Sequence, residues 1–379
     1  MRPSLYALLI LAVFFTTPML PAQNKEPVKL ANAEHVVVFK QQGIYAVFPY
    51  MPKVQSEGAI LITLAARTRA SHDDPGGGIT TMRSTDGGRT WQVFRRDEGA
   101  ISVEEVNAMQ ALKTADGTLV TIHAGYDQYP ASKRAELEKA GWEISDAREG
   151  VITALSGHSG RVSHDGGKTW QEQPLPMPNP PGVMSFHGGI LTDQDVILYP
   201  VYGSPTSGDT GHSYVYRSAD AGKTWTFHEI IGDSRGERPM NETSIIDLGG
   251  GHILAFVRTG DKVDHMYRAE SFNGGITWGR LADSGITGHP ADLLKLRNGH
   301  ILLTYGYRHK PFGIRARISK DSGKTWGEEL VLRDDGMGPD LGYPMSIQLE
   351  DGVIFTSYYF REASGGPTHI AGTRWTEPK

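Results

Sequence analysis

The chain is 379 residues long, 39% hydrophobic and 21% charged, the balance of a folded globular protein. A net charge of −5 with no basic block argues against a nucleic-acid partner, and the lack of cysteine excludes disulfides and lipid attachment through a cysteine. Forty-six glycines and 22 prolines without a collagen period predict many tight turns between short strands.

The N-terminus carries Arg2, an apolar run from Leu5 to Phe15, and a Pro18 to Ala22 stretch ending in a small residue. This pattern predicts an export signal over 1–22, cleaved after Ala22, and a mature domain over 23–379. The run is short for a membrane span, so no stable membrane insertion is expected and the location is secreted or periplasmic; the alternative is an uncleaved anchor. A strand at 35–40 follows.

One octapeptide then recurs five times, as Ser84 to Trp91, Ser163 to Trp170, Ser218 to Trp225, Ser271 to Trp278 and Ser319 to Trp326. Repeats about 50 residues apart indicate propeller blades or a similar array. In the first copy Asp86 caps backbone amides, Gly88 accepts positive φ, and Thr90-Trp91 lead into the next strand. Five of the seven tryptophans occupy this slot, where an indole packs between neighbouring sheets. A turn residue that serves every blade alike is not read as catalytic.

Each unit reads as four short strands; in the fifth they are expected at 291–297, 300–307, 313–319 and 328–333. The sixth unit, 344–376, lacks the box, and the early strand at 35–40 is expected to complete it and close the ring. The second unit carries an insertion at about 126–150 with a helix-like run, 132–140, that has Ser132 at a possible N-cap. It reads either as surface decoration or as a rim element. The expected fold is therefore all-β: a six-bladed β-propeller of four-stranded antiparallel blades.

Strand parity locates the chemistry. First strands start, and second strands end, on one face of the disc, while the boxes lie on the other. Ends of second strands carry Arg67, Arg69, Asp74, Arg258 and Arg308; starts of first strands carry Glu242, His289 and Tyr343. His72 and Asp73 share the Asp74 loop and compete for an acid/base role, with spacing to Arg83 favouring Asp74; His187 and His289 are candidate pocket linings. Arg315, in an alternating strand, reads as part of a solvated face. Carboxylates, a tyrosine and several arginines at one mouth suit acid-assisted cleavage of an anionic sugar. No metal-binding or nucleotide-binding motif is present, and no cofactor is implied.

The repeated octapeptide resembles the Asp-box of the sialidase family, and further segments extend that resemblance over essentially the whole mature chain. Asn241-Glu242 through Arg258 is similar to the segment carrying the catalytic glutamate and a carboxylate-binding arginine; Gly342-Tyr343-Pro344 is similar to the segment of the nucleophilic tyrosine. The 67–74 loop resembles the one carrying the acid/base aspartate, and Arg308 matches a second arginine of the substrate triad better than Arg315 does. The resemblance implies an exported retaining exo-glycosidase releasing a terminal acidic sugar, sialic acid favoured, from a glycan or glycoconjugate, with Tyr343 as nucleophile, Glu242 as its base and Asp74 as acid/base, Arg258 and Arg308 holding the substrate carboxylate. One departure stands out: the family's arginine before Ile-Pro of the first inner strand is absent from Tyr45-Ala-Val-Phe48-Pro49, with Arg67 and Arg238 as spatial substitutes. This favours a second expectation, a hydrolase or lyase of the same fold on another sugar acid or a polysaccharide. A third is a non-catalytic carbohydrate-binding propeller.

Overall fold

The computed structural model describes residues 26–52, 59–65, 79–96, 111–140, 144–176, 188–203, 211–231, 239–260 and 264–378. Their strands form six antiparallel meander sheets arranged as the blades of a propeller. Blade four shows the plan: Met240–Gly249, His252–Thr259, His265–Ser271 and Ala282–Thr287 pair in sequence order. Blade five follows with Ala291–Lys295, Ile301–Tyr307, Gly313–Ser319 and Leu330–Arg333, close to the bounds expected from sequence. Blade six consists of Gly342–Gln348, Ile354–Phe360 and His369–Trp375, completed by the N-terminal strand Glu34–Phe39, which pairs antiparallel with His369–Trp375 and closes the ring. A second stitch was not foreseen. Val28–Lys29 adds a parallel strand to the outer edge of blade five, where the Lys29 ammonium lies 3.0 Å from Asp334.

The boxes explain why the blades stack. In the first, Ser84 Oγ donates to Asp86 Oδ1 at 2.8 Å, Gly88 N donates to Ser84 Oγ at 2.9 Å, and Thr90 Oγ1 donates to Asp86 Oδ2 at 2.6 Å. Hydrogen bonds from Thr90, Ser84 and the Arg89 amide hold the Asp86 carboxyl well below the usual carboxylate range. The same ladder recurs at Asp165, Asp220 and Asp321, and at Asn273, whose amide donates to Thr277. A turn fixed this way presents a bare glycine face to the preceding blade. A Cβ on Gly88 would lie 2.7 Å from Phe355, on Gly222 2.6 Å from Val120, on Gly275 2.9 Å from Leu198, and on Gly323 2.5 Å from Leu254. Each of those partners sits in the second strand of the blade before. Three third-strand arginines complete the latch: Arg374 donates to Gly87 O, Arg217 to Gly274 O and Arg268 to Gly323 O, at 2.8, 2.9 and 2.7 Å.

The apolar core is accordingly divided into wedges between blades. One joins blades six and one through Phe355, Tyr359, Val47 and Ile62; another joins four and five through Phe256, Leu303 and Tyr305. Because each blade is covered on both faces, alternation along a strand does not mean solvation. Arg315 corrects the sequence reading on this ground. It is 2% exposed, donates to the Pro311 and Arg333 carbonyls, approaches Glu329, and lies 4.7 Å over the Tyr307 ring.

The insertion of blade two is a prolongation of its second and third strands. Leu119–Pro130 pairs with Val151–Ser163, Ile144–Arg148 adds to the ribbon, and a 3-10 turn Ala131–Lys133 with a helix Arg134–Lys139 caps it. The ribbon therefore leaves the blade on the face where second strands end, the face read from sequence as the mouth. Ser132 is not the helix N-cap: Pro130 opens the 3-10 turn, which takes Ser132 inside it, and Lys133 caps the helix without a side-chain bond. Among the described residues no helix is long and apolar enough to cross a membrane.

Gly323→Ala tests the latch. The new methyl meets Leu254 on a backbone with φ of 79°, so the variant should lose about 1–3 kcal/mol, seen as a lower melting temperature. Asp220→Asn, which copies the natural box at Asn273, should lose under about 1 kcal/mol.

Candidate active site

Three blades carry the same irregularity where their first strands begin. Pairing shifts between Val47 and Tyr50, between Met240 and Thr243, and between Gly342 and Met345 each place one extra residue on the inner strand. Such bulges bend the strand and re-aim its side chains. The bulged dipeptides are Phe48-Pro49, Asn241-Glu242 and Tyr343-Pro344, so they turn Phe48, Glu242 and Tyr343 out of the blade alternation. Phe48 and Tyr343 have φ of 52° and 51°, a left-handed conformation that residues with a Cβ adopt rarely and at a cost.

The three side chains converge. The Tyr343 hydroxyl donates to Glu242 Oε1 at 2.9 Å, and both residues are 5% exposed. Arg258, the second-strand residue opposite the Glu242 bulge, donates through Nη1 to both Glu242 oxygens at 3.0 Å and lies 3.4 Å from the Tyr343 oxygen. Phe48 meets Tyr343 edge-on at 5.3 Å between ring centres. Arg308, at the end of the second strand of blade five, stands 5.7 Å over the Tyr343 ring, with Nη2 at 3.5 Å from the Tyr359 hydroxyl. Burial and the Glu242 charge push the Tyr343 phenol above its ordinary range, against the pull of Arg258 and Arg308. Tyr343 is therefore a neutral phenol at rest, already bonded to a proton acceptor. For Arg258 burial works against the charge, but Glu242 outweighs it and the guanidinium is held more firmly protonated.

Two further clusters flank this centre. Asp264, in the turn after Arg258, lies with Oδ1 2.5 Å from His289 Nδ1 and with Oδ2 2.9 Å from His309 Nε2. Burial opposes its ionisation, yet the imidazoles of His289 and His309 beside its two oxygens keep the Asp264 carboxyl below the usual range. On the other side Asp340 accepts from Tyr45 at 2.5 Å and from Tyr359 at 3.0 Å. Val47, fully buried in the wedge below Tyr343, stands where the sialidase resemblance places its first arginine.

The structure thus brings together Glu242, Tyr343, Arg258, Arg308 and His289 of the residues expected from sequence. Arg67, Arg69, His72, Asp73, Asp74, His187 and Arg238 lie outside the described residues. Phe48, Tyr359, Asp264, His309, Tyr45 and Asp340 were not anticipated. The aromatic-proline dipeptide shared by Phe48-Pro49 and Tyr343-Pro344 is a signal the sequence did contain; Asp264 and Asp340 sit in turns with no repeat to mark them.

Residues 142–356 match the family model of the BNR repeat-like domain. Among solved structures, a Dyadobacter fermentans protein of unknown function is similar at a TM-score of 0.73 and 27% identity, over 91% of this chain and 99% of that one. The NanB sialidase of Streptococcus pneumoniae is similar at 0.59 and 13% identity, over 90% of this chain and 70% of that one. An alpha-L-arabinanase of Penicillium chrysogenum, solved with arabinobiose, is similar at 0.55 and 14% identity, over 90% of this chain and 97% of that one. The last two likenesses are likenesses of fold. No curated protein matches the chain in sequence.

Removing Arg258 takes a guanidinium that touches both oxygens away from the buried Glu242 carboxylate. Arg258→Met should cost on the order of 3 kcal/mol in denaturant unfolding, and much less when Glu242→Gln is introduced with it.

Proposed function

We propose that this chain, which belongs to the BNR repeat-like domain family, is an exported exo-glycosidase that releases a terminal acidic sugar, sialic acid favoured, with Tyr343 as nucleophile. The observation that carries this reading is the buried Tyr343–Glu242 pair, bonded at 2.9 Å and flanked by two arginines. The fold shared with the NanB sialidase supports it.

The chemistry follows from the shared guanidinium. As the sugar's anomeric carbon is attacked by the Tyr343 oxygen, the phenolic proton passes to Glu242. Arg258 then faces a neutral carboxylic acid and a developing phenolate, and its Nη1 already reaches both oxygens. Charge is compensated before and after transfer, which is how a fixed dipole lowers a barrier without reorganising. The leaving oxygen takes a proton from an acid, a role the family resemblance gives to Asp74. Water then attacks the anomeric carbon, returns a proton to that acid, and the glycosyl–Tyr343 bond breaks as Glu242 gives its proton back. A tyrosine suits an anionic sugar because it carries no charge to repel it.

A second reading, hydrolysis of a different sugar on the same fold, draws on the surroundings of Arg308. Val47 supplies no charge, and an Asp340 carboxylate stands behind Tyr359, which meets Arg308. A carboxylate-binding site gains nothing from that anion, whereas a hydroxyl-rich sugar tolerates it.

A panel of 4-methylumbelliferyl sialoside, uronide and arabinoside separates these. Turnover of the sialoside should fall about 10²–10⁴-fold in kcat for Tyr343→Phe and Glu242→Gln. Sialic acid release that survives in Glu242→Gln overturns the mechanism. Turnover of the arabinoside or uronide alone selects the second reading, and binding without turnover of any substrate selects a carbohydrate-binding propeller. Export is read separately, by an N-terminus at Gln23 in the secreted protein.

A further inference from the structure

His289 occupies a position that the reaction above does not use. Its backbone N–H donates to Gly306 O at 2.9 Å, which fixes it just ahead of the first strand of blade five, at the mouth. The residue is 9% exposed. Its Nδ1 faces Asp264 Oδ1 at 2.5 Å, a close contact that is off-line for a hydrogen bond, and the same carboxylate is anchored from its other oxygen by His309. Nδ1 is a buried atom, and Nε2 has no hydrogen-bond partner among the described residues.

The negative charge of a carboxylate oxygen 2.5 Å from Nδ1 favours the tautomer with the proton on that nitrogen, which leaves a lone pair on Nε2. The charged and titratable groups around the ring are Asp264 in the turn of blade four, Arg258 on its second strand with Glu242 and Tyr343 beyond, and Arg308 and His309 on blade five. Burial holds the imidazole below its usual range, with Asp264 opposing and both arginines reinforcing the shift. The ring at neutral pH is thus uncharged: a rigid acceptor set among donors. Such an atom repels a substrate carboxylate and takes a hydroxyl. The two imidazoles meet opposite oxygens of one carboxylate, and among the described residues no group of three such side chains is arranged to hold a metal ion.

We propose that His289 is a specificity-determining residue of this site, whose Nε2 accepts a hydrogen bond from a ring hydroxyl of the bound sugar beside the substituent that Arg258 and Arg308 receive. Asp264 and His309 act as positioning residues, setting the tautomer and the ring plane. The proposal rests on the reading of the mouth as a sugar site and adds to it the class of group that enters next to the arginines.

The test uses the full chain and three sugars as probes, N-acetylneuraminic acid, D-glucuronic acid and L-arabinose, with dissociation constants measured by calorimetry. For the sugar that binds tightest, His289→Phe should weaken binding about tenfold at neutral pH, and His289→Gln, which restores an acceptor, should recover part of the loss. Acidification far enough to protonate Nε2 should weaken wild-type binding, with no such slope from this residue in His289→Phe. Long-range proton–nitrogen spectra should show the His289 proton on Nδ1 at neutral pH. Binding that ignores His289→Phe, wild-type binding that tightens on acidification, or a proton on Nε2 overturns this proposal and leaves the glycosidase reading standing. A folded wild type that takes none of the three sugars overturns both.

Discussion

Everything in this molecule depends on six sheets packing flat against one another in a closed ring. The contact that permits it is the box glycine, whose missing side chain at Gly88, Gly222, Gly275 and Gly323 lets the turn rest on a Phe, Val or Leu of the preceding blade. The serine and aspartate bonds hold that turn rigid, and the third-strand arginine of the previous blade ties to its carbonyl. Because the latch lies at the turn between third and fourth strands, it leaves the opposite face free of structural duty. The bulges, the left-handed Phe48 and Tyr343, and the Glu242–Arg258 pair gather there.

That face also shows how strain is held in place. Tyr343 keeps an unfavourable backbone because its ring is gripped on several sides, by Phe48, Tyr359, Arg308 and the Glu242–Arg258 pair. A buried Glu–Arg pair is a poor source of stability compared with apolar packing, so its presence in the mouth is better explained by the phenol that both partners touch. Residues from blades one, four, five and six contribute, which makes the centre sensitive to ring closure by the Glu34–Phe39 strand at the other end of the chain.

Much of this was legible beforehand. A repeat read five times over carried the fold, since the octapeptide encodes a turn locally and needs no distant partner to be recognised. Strand parity then brought Glu242, Arg258, Arg308, His289 and Tyr343 to one face, because a meander alternates direction whatever its sequence. The failures share a cause. Arg315 looked solvated because alternation was read as one wet face, and Ser132 looked like a cap because the 3-10 turn begun by Pro130 is not visible as periodicity. Asp264, His309, Asp340 and Tyr45 acquire meaning only through partners 19 to 295 residues away.

By itself the sequence determined the blade count, the box turns, the closing strand and the face on which the chemistry gathers, because each follows from local turn chemistry and from chain direction. Only the tertiary structure decided that Arg258 is shared by Glu242 and Tyr343, that Phe48 and Arg308 both meet the tyrosine ring, and that one carboxylate faces two imidazoles. Those are contacts across blades, fixed by how twisted sheets meet around an axis, and no short-range pattern encodes the distance between them.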